Sequence, residues 1–400
     1  MKITGQLPYC SMPVAHDTYS GCVARCAYCF SQNLSGAKGE RAQGSITPLA
    51  PGSFPGADKI PFAVHLGSMH GTLPPVENKT GQTEAFLRQE LPRRIVVMST
   101  HQDIAEFPGV LDAIRVKPGS FMLQASTCSD DDDITHAIER GTVPLLRQKL
   151  AGLLAVADMG ATVVVRMQPF VRAWWKDIPA AIEAFAAHGV RGVIVEHLKI
   201  GSGLFNWEGL REACEVAGTP LDELVSAREG FDKTAPLTRK IQNYLRVAKA
   251  CHERDIACFA ADNVLRGLSD TPHCCGVEMM SDYADGKAWT GDLTAVAWRD
   301  KTVKAAPDHW DVADDKTERS FIGASGLSQR TQTDVALRRM TISDYMTAYL
   351  DDDEKVAALL PFAKKVAPGV WEQTEEWRNL CLATRRPDLV RKLDGVPQEA

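Results

Sequence analysis

Gly21-Cys22-Val23-Ala24-Arg25-Cys26-Ala27-Tyr28-Cys29-Phe30 is the stretch on which the reading of this chain turns. Its three cysteines are spaced Cys-x3-Cys-x2-Cys, with an aromatic residue just before the last. Soft thiolates this close in sequence suit an iron–sulfur cluster or zinc. A [4Fe–4S] cluster held by three cysteines keeps one iron open, and an open iron can chelate a small molecule. A closed zinc site needs a fourth ligand. No Cys or His follows at short range, and the next is His65; upstream, Cys10 and His16 offer themselves. A chance cluster of structural cysteines is the third reading. The spacing, the glycine in front and the βα series behind weigh against it, so the open cluster stands first.

Downstream of this loop the pattern is regular. Short β-type runs fall at 62–66, 95–99, 121–126, 162–168, 192–197 and 256–260, after a first strand near 14–20. Helical spacing fills 83–91, 144–159 and 178–188, and Gly160 and Gly189 sit where helices end. A mostly helical stretch is expected over 207–253. Strands alternating with helices imply parallel βαβ units. Strands apolar on both faces, such as Thr162-Val163-Val164-Val165, imply a sheet covered by helices. The fold class is therefore α/β. The expected parts are an N-terminal segment over 1–13, a barrel over 14–264, and a mostly helical or irregular C-terminal extension over 265–400. The run Asp130–Asp133 reads as a solvated helix start.

The chain's 400 residues allow two or three domains, or one large barrel with additions. The 45 basic and 51 acidic residues leave a net charge of −6, which disfavours a broadly basic nucleic-acid binder. No apolar run reaches the ~18–20 residues that span a bilayer, and the first residues lack a signal-peptide core. A cytoplasmic protein without a membrane partner is the expectation. In that compartment the eleven cysteines point to metal or redox chemistry rather than disulfides.

Cys22, Cys26, Tyr28 and Cys29 together resemble the signature of the radical S-adenosylmethionine (SAM) superfamily. Further segments resemble its spore photoproduct lyase-like branch. They are His65-Leu66-Gly67-Ser68-Met69-His70 with Pro74-Pro75-Val76-Glu77, then Met98-Ser99-Thr100-His101, Ala125-Ser126-Thr127, and Val165-Arg166-Met167-Gln168-Pro169-Phe170. Each is short; their order and strand positions make the set informative. The resemblance covers about residues 14–262 and implies a partial (β/α)6 TIM-type barrel with its chemistry at the C-terminal ends of the strands. It implies a [4Fe–4S] cluster on Cys22, Cys26 and Cys29, with SAM on the open iron. It also implies cofactor-binding roles for Tyr28, Gly67, Ser68, Ser126, Arg166 and Gln168, and a one-electron donor such as flavodoxin or ferredoxin. Gly67 permits close backbone approach, and the Arg166 fork matches a carboxylate.

Three departures bear on the substrate. The 67–70 region has no cysteine where that family returns a hydrogen atom to product. His101 replaces its lysine, and Phe30 its tyrosine. These changes argue against thymine-dimer repair itself. A modified thymine or other nucleobase in DNA or a nucleotide remains the expected substrate. A peptide or small metabolite is the alternative, and a structural zinc or iron–sulfur module a remote one. Cys274 and Cys275 follow the last strand and are candidate catalytic thiols; with Cys251 and Cys258 they are also considered for a second cluster. His65, His70 and His101 are candidate acids or bases, and Trp174-Trp175 is either a platform for a planar base or part of a loop packed against the barrel rim.

Overall fold

The computed structural model describes residues 2–3, 8–12, 14–29, 46–49, 62–68, 71–139, 143–200, 207–229, 232–283, 292–304 and 342–386. Phe30, Met69, His70, Trp289 and Trp310 lie outside the described residues.

Eight strands form one sheet in chain order: β1 (Lys2–Ile3), β2 (Val14–His16), β3 (Val64–Leu66), β4 (Val96–Thr100), β5 (Phe121–Thr127), β6 (Thr162–Phe170), β7 (Gly192–His197) and β8 (Ala257–Ala260). β1 pairs antiparallel with β2; β2 to β8 are parallel throughout. The sheet thus has seven parallel strands, an arrangement consistent with a partial barrel. β6 and β7 shift register between Met167 and Phe170, where Pro169 has no N–H to donate. Helices α1 (Gln82–Glu90), α2 (Pro108–Arg115), α3 (Asp132–Ile138), α4 (Leu146–Asp158), α5 (Ile178–Ala187), α6 (Trp207–Val216) and α7 (Leu237–His252) connect the strands. Asp131 caps α3 by accepting from the Asp133 N–H, so the acidic run does open a helix.

The alternation of side chains separates two faces. Val96, Met98, Leu123, Val163, Val165 and Val193 pack outward on Leu87, Val110, Leu153, Ile182 and Val247 of the helices. Val97, Met122, Val164, Ile194 and Phe259 point inward and form a second apolar cluster with Met12, Cys275, Val277 and Met280. That second cluster is the barrel floor. After β8 the chain first covers the exposed strand edge. The Ala260 N–H donates to Ser269 Oγ at 2.7 Å, and the Cys258 N–H to Asp270 Oδ2 at 2.7 Å. It then runs beneath the N-terminal end of β5, where the Asp282 N–H reaches the Gly119 carbonyl at 3.2 Å. Ser120 Oγ donates to Asp282 Oδ2 at 2.7 Å in the same place.

Residues 8–12 close the open side of the barrel. The Leu293 N–H donates to the Pro8 carbonyl at 2.7 Å. Arg266 Nη2 donates to the Tyr9 carbonyl at 3.2 Å, and Ser11 Oγ lies 3.5 Å from Cys275 Sγ.

Two stretches expected to be helical contain hairpins. Asp232–Thr234 pairs with Ala227–Glu229 on one side and with Lys199–Ile200 on the other. Ala363–Ala367 and Val370–Gln373 form a three-stranded sheet with Thr302–Lys304, beside helices at Ile342–Leu350, Asp353–Leu359 and Glu375–Thr384. Gly369, at φ +64°, makes the second hairpin turn. No helix among the described residues is long and apolar enough to cross a membrane.

His273 and Glu278 join in the floor segment, Nδ1 to Oε1, at 2.5 Å. Burial works to lower the His273 pKa, but Glu278 outweighs it and the net shift is upward. A raised folded-state pKa stabilises the fold fully below the unfolded value of about 6.5, and that gain is lost as pH rises through the folded value. The melting temperature is therefore expected to fall from pH 6 upward, and His273→Gln to flatten that slope. An unchanged slope in the variant would refute the assignment.

Candidate cofactor site at the barrel mouth

The cysteine loop follows β2, at the C-terminal end of the parallel strands. Gly21 (φ +81°) and Arg25 (φ +47°) take left-handed conformations that fold it into a tight bowl. Two contacts pin the bowl to the end of α3. Cys26 and Glu139 form an antiparallel bridge, and the Ala27 N–H donates to the Ile138 carbonyl at 2.8 Å. The Cys29 N–H closes on the Cys26 carbonyl at 3.2 Å. The Ala24 N–H points at Cys22 Sγ from 3.5 Å. Opposite, Gly71 has no side chain where a Cβ would stand 3.2 Å from that sulfur.

Burial raises the Cys22 and Cys26 thiol pKa values, and at Cys26 Glu139 and the two sister cysteines add to the effect. Bound metal reverses this by stabilising thiolates. Three soft thiols on one loop are the donor type that an iron–sulfur cluster takes.

Tyr28 lies against Cys26 and reaches toward the end of α3. Its hydroxyl donates to Glu139 Oε1 at 3.0 Å and lies 3.4 Å from His101 Nε2. Burial is the main cause of its raised pKa, and burial also lowers that of His101. Gly67, after β3, has φ +81° and donates its N–H to the His16 carbonyl at 2.9 Å. Ser68 Oγ beside it is buried with no partner among the described residues. A buried hydroxyl without a partner at a strand end is what a polar ligand group would satisfy. Ser126 is buried, and its carbonyl accepts Lys149 Nζ at 2.9 Å.

Above the floor, the same inward phase carries a polar row. His65 Nε2 and Ser99 Oγ share a hydrogen bond of 2.8 Å, and Ser99 Oγ donates to Gln124 Oε1 at 3.2 Å. Arg166 Nη1 donates to Gln124 at 2.8 Å, and Nε to Gln168 Oε1 at 2.9 Å. Gln168 Nε2 donates to Glu196 Oε2 at 2.5 Å, and Arg166 Nη2 is 3.7 Å from the same oxygen. Lys199 Nζ stands 3.8 Å from Glu196 and 3.4 Å from Asp262. Burial raises the Glu196 pKa against the pull of Lys199 and Arg166. The structure thus brings Arg166 and Gln168 together, but engages the guanidinium with its own neighbours. Glu139, Gln124 and Glu196 were not singled out in the sequence. For Gln124 and Glu196 the signal was there: each is a polar residue at the inward phase of an apolar strand.

Other expectations need correction. Trp174 and Trp175 are buried, and Trp175 stacks on Phe170 at 6.4 Å between ring centres, so neither offers a face to a substrate base. The loop after β8 does not stay at the mouth; its cysteine pair is split by the descent to the floor. Cys275 lies in the floor cluster. Burial raises the Cys274 thiol pKa while Arg266 and Arg166 pull it down, which places it near the Arg166 end of the polar row. Cys251 and Cys258 are buried between α7 and β8. The four cysteines considered for a second cluster therefore do not share one location.

No family model and no curated protein matches the chain. Solved structures do. A cysteine-to-alanine variant of spore photoproduct lyase matches with a TM-score of 0.50 at 15% identity, over 64% of this chain and 80% of that one. Spore photoproduct lyase complexed with dinucleoside spore photoproduct matches with a TM-score of 0.48 at 15% identity, over the same shares of the two chains, 64% and 80%. The radical SAM methyltransferase TsrM from Kitasatospora setae, with tryptophan and a SAM analogue bound, matches with a TM-score of 0.38 at 11% identity, over 72% and 58%. What the likeness shows is the fold: a partial parallel barrel of the kind found in the spore photoproduct lyase variant.

The bare α-carbon of Gly71 yields a prediction. In Gly71→Ala the added methyl group crowds Cys22, at a cost of about 1–3 kcal/mol to the loaded geometry. After anaerobic reconstitution, the variant is expected to lose its absorbance at about 400 nm faster than wild type under a chelator. Equal rates would show that the contact has slack.

Proposed function

We propose that this chain is a radical SAM enzyme whose [4Fe–4S] cluster is held by Cys22, Cys26 and Cys29. One observation carries the reading. Three thiols from a single loop, pinned to the end of α3 at Cys26, stand after β2 at the C-terminal end of the parallel strands. When bound, the cluster and SAM would supply one-electron cleavage of SAM to a 5′-deoxyadenosyl radical that removes hydrogen from substrate.

The chain's own residues have assignable parts. Ser68 Oγ and the Gly67 backbone would receive the polar end of SAM. Ser126 and Tyr28 would border it. Arg166 and Gln168 would act through the polar row, orienting groups deep in the barrel. The floor seals the other end against water. Cys274, facing the interior, is the better placed of the two candidate catalytic thiols; Cys275 would act only by supporting it. A one-electron donor such as flavodoxin or ferredoxin would serve as partner.

The substrate assignment rests on the ordered segments 65–77, 98–101, 125–127 and 165–170, which resemble the spore photoproduct lyase-like branch. They favour a modified thymine or other nucleobase, in DNA or a nucleotide. A small polar metabolite is the second reading, favoured by the charged barrel interior at Arg166 and Glu196.

Reconstituted protein, dithionite and SAM, with and without DNA, should yield 5′-deoxyadenosine. Cys22→Ala, Cys26→Ala and Cys29→Ala should each abolish it. A rise with DNA supports the nucleobase. An intact cluster that yields no nucleoside overturns the enzyme assignment.

A further inference from the structure

The cluster loop carries a second set of donors. Cys26 Sγ, a ring nitrogen of His101 and a carboxylate oxygen of Glu139 lie within 4.8 Å of one another. They come from three elements: the loop itself, the segment after β4, and the residue that ends α3. Glu139 is fully enclosed, its Oε2 has no hydrogen-bond partner among the described residues, and the buried Cys128 thiol lies beside its carboxylate. Its Oε1 lies 3.6 Å from His101 Nε2. Nitrogen and oxygen ligands about 2.1 Å from a tetrahedral ion are about 3.4 Å apart, so this edge is almost preformed. The backbone bridge between Cys26 and Glu139 holds the other edge.

The donor types agree with the spacing. Thiolate, imidazole and carboxylate are the set that zinc takes. One thiolate and one carboxylate neutralise a divalent ion, an important condition in a buried site. The Tyr28 hydroxyl, 3.0 Å from Glu139 and 3.4 Å from His101, borders the fourth position.

We propose that the cluster-free chain binds one zinc ion, or a similar divalent metal, through Cys26, His101 and Glu139, and that this ion and the cluster exclude each other because both need the Cys26 thiolate. Binding forms a zinc–sulfur bond and releases the thiol proton to solvent; no redox partner is required. Zinc then acts as a competitor for cluster assembly. The exclusivity rests on the proposed cluster site; the zinc site itself does not.

The test uses the full-length chain, cluster-free, titrated with Zn2+ against a chromophoric chelator. One equivalent is expected. Cys22→Ala and Cys29→Ala should keep it. Cys26→Ala, His101→Ala and Glu139→Gln should weaken it at least tenfold. This pattern separates the site from a thiolate-only one, which would depend on all three cysteines. With Co2+ as probe, the thiolate-to-metal charge-transfer band should have the intensity of one thiolate rather than three. Circular dichroism of the metal-free variants controls for folding; should Glu139→Gln fail to fold, the cobalt band and His101→Ala decide. Equal loss of zinc in Cys22→Ala and Cys29→Ala, or unchanged affinity in His101→Ala, would overturn the proposal. A cluster-loaded chain should not take up zinc here, and uptake beside an intact cluster would overturn the exclusivity. If the zinc pattern holds while no 5′-deoxyadenosine forms, the enzyme assignment fails and the metal site stands.

Discussion

A parallel sheet that curls without closing leaves three liabilities: an inner face, two unpaired edges and an open floor. Much of the remaining chain is arranged to meet them. Ser269 and Asp270 supply acceptors to the free edge of β8. Residues 8–12 bridge from the β2 side to Arg266, Cys275 and Leu293. The segment that passes under Gly119 fills the floor with Val277 and Met280. Each contact satisfies a buried backbone group or covers apolar surface that would otherwise face water. Residues 8–12, residues 266–283 and Leu293 are thus part of the barrel's closure.

Closure from below leaves the upper half of the interior to polar chemistry. The inward side chains of β4 to β7 are apolar for one layer and polar for the next: Val97 then Ser99, Met122 then Gln124, Val164 then Arg166, Ile194 then Glu196. The polar layer is tied into one string of hydrogen bonds from His65 to Glu196, which Lys199 extends as an ion pair at 3.8 Å. Linked donors and acceptors in a low-dielectric interior hold each other in place. A ligand entering from the mouth meets an ordered surface. The three cysteines stand at that mouth because the loop is fastened to α3 at Cys26 and Ala27.

The strand rhythm and the cysteine spacing were legible because they depend on neighbours in sequence. Short apolar β-type runs and glycine-terminated helices located β3 to β8 to within a few residues. The two hairpins were missed because 227–234 and 363–373 carry strand character only through pairing with partners far along the chain. Trp174-Trp175 stayed open for a similar reason: an aromatic pair after a strand is a platform or a plug depending on what packs above it. Here Phe170 packs against it.

By itself the sequence determined the α/β alternation, the soft-ligand loop and the inward phase of the polar residues, since all are set by local periodicity and side-chain chemistry. Only the tertiary structure decided which groups meet. It brought Glu139 to Cys26 across 113 residues, as the difference of their numbers shows. It sent Cys275 to the floor while leaving Cys274 toward the interior. It also engaged Arg166 with Gln124 and Gln168. Such contacts depend on how far the sheet curls and where the chain descends after β8, and those are consequences of packing the whole barrel at once.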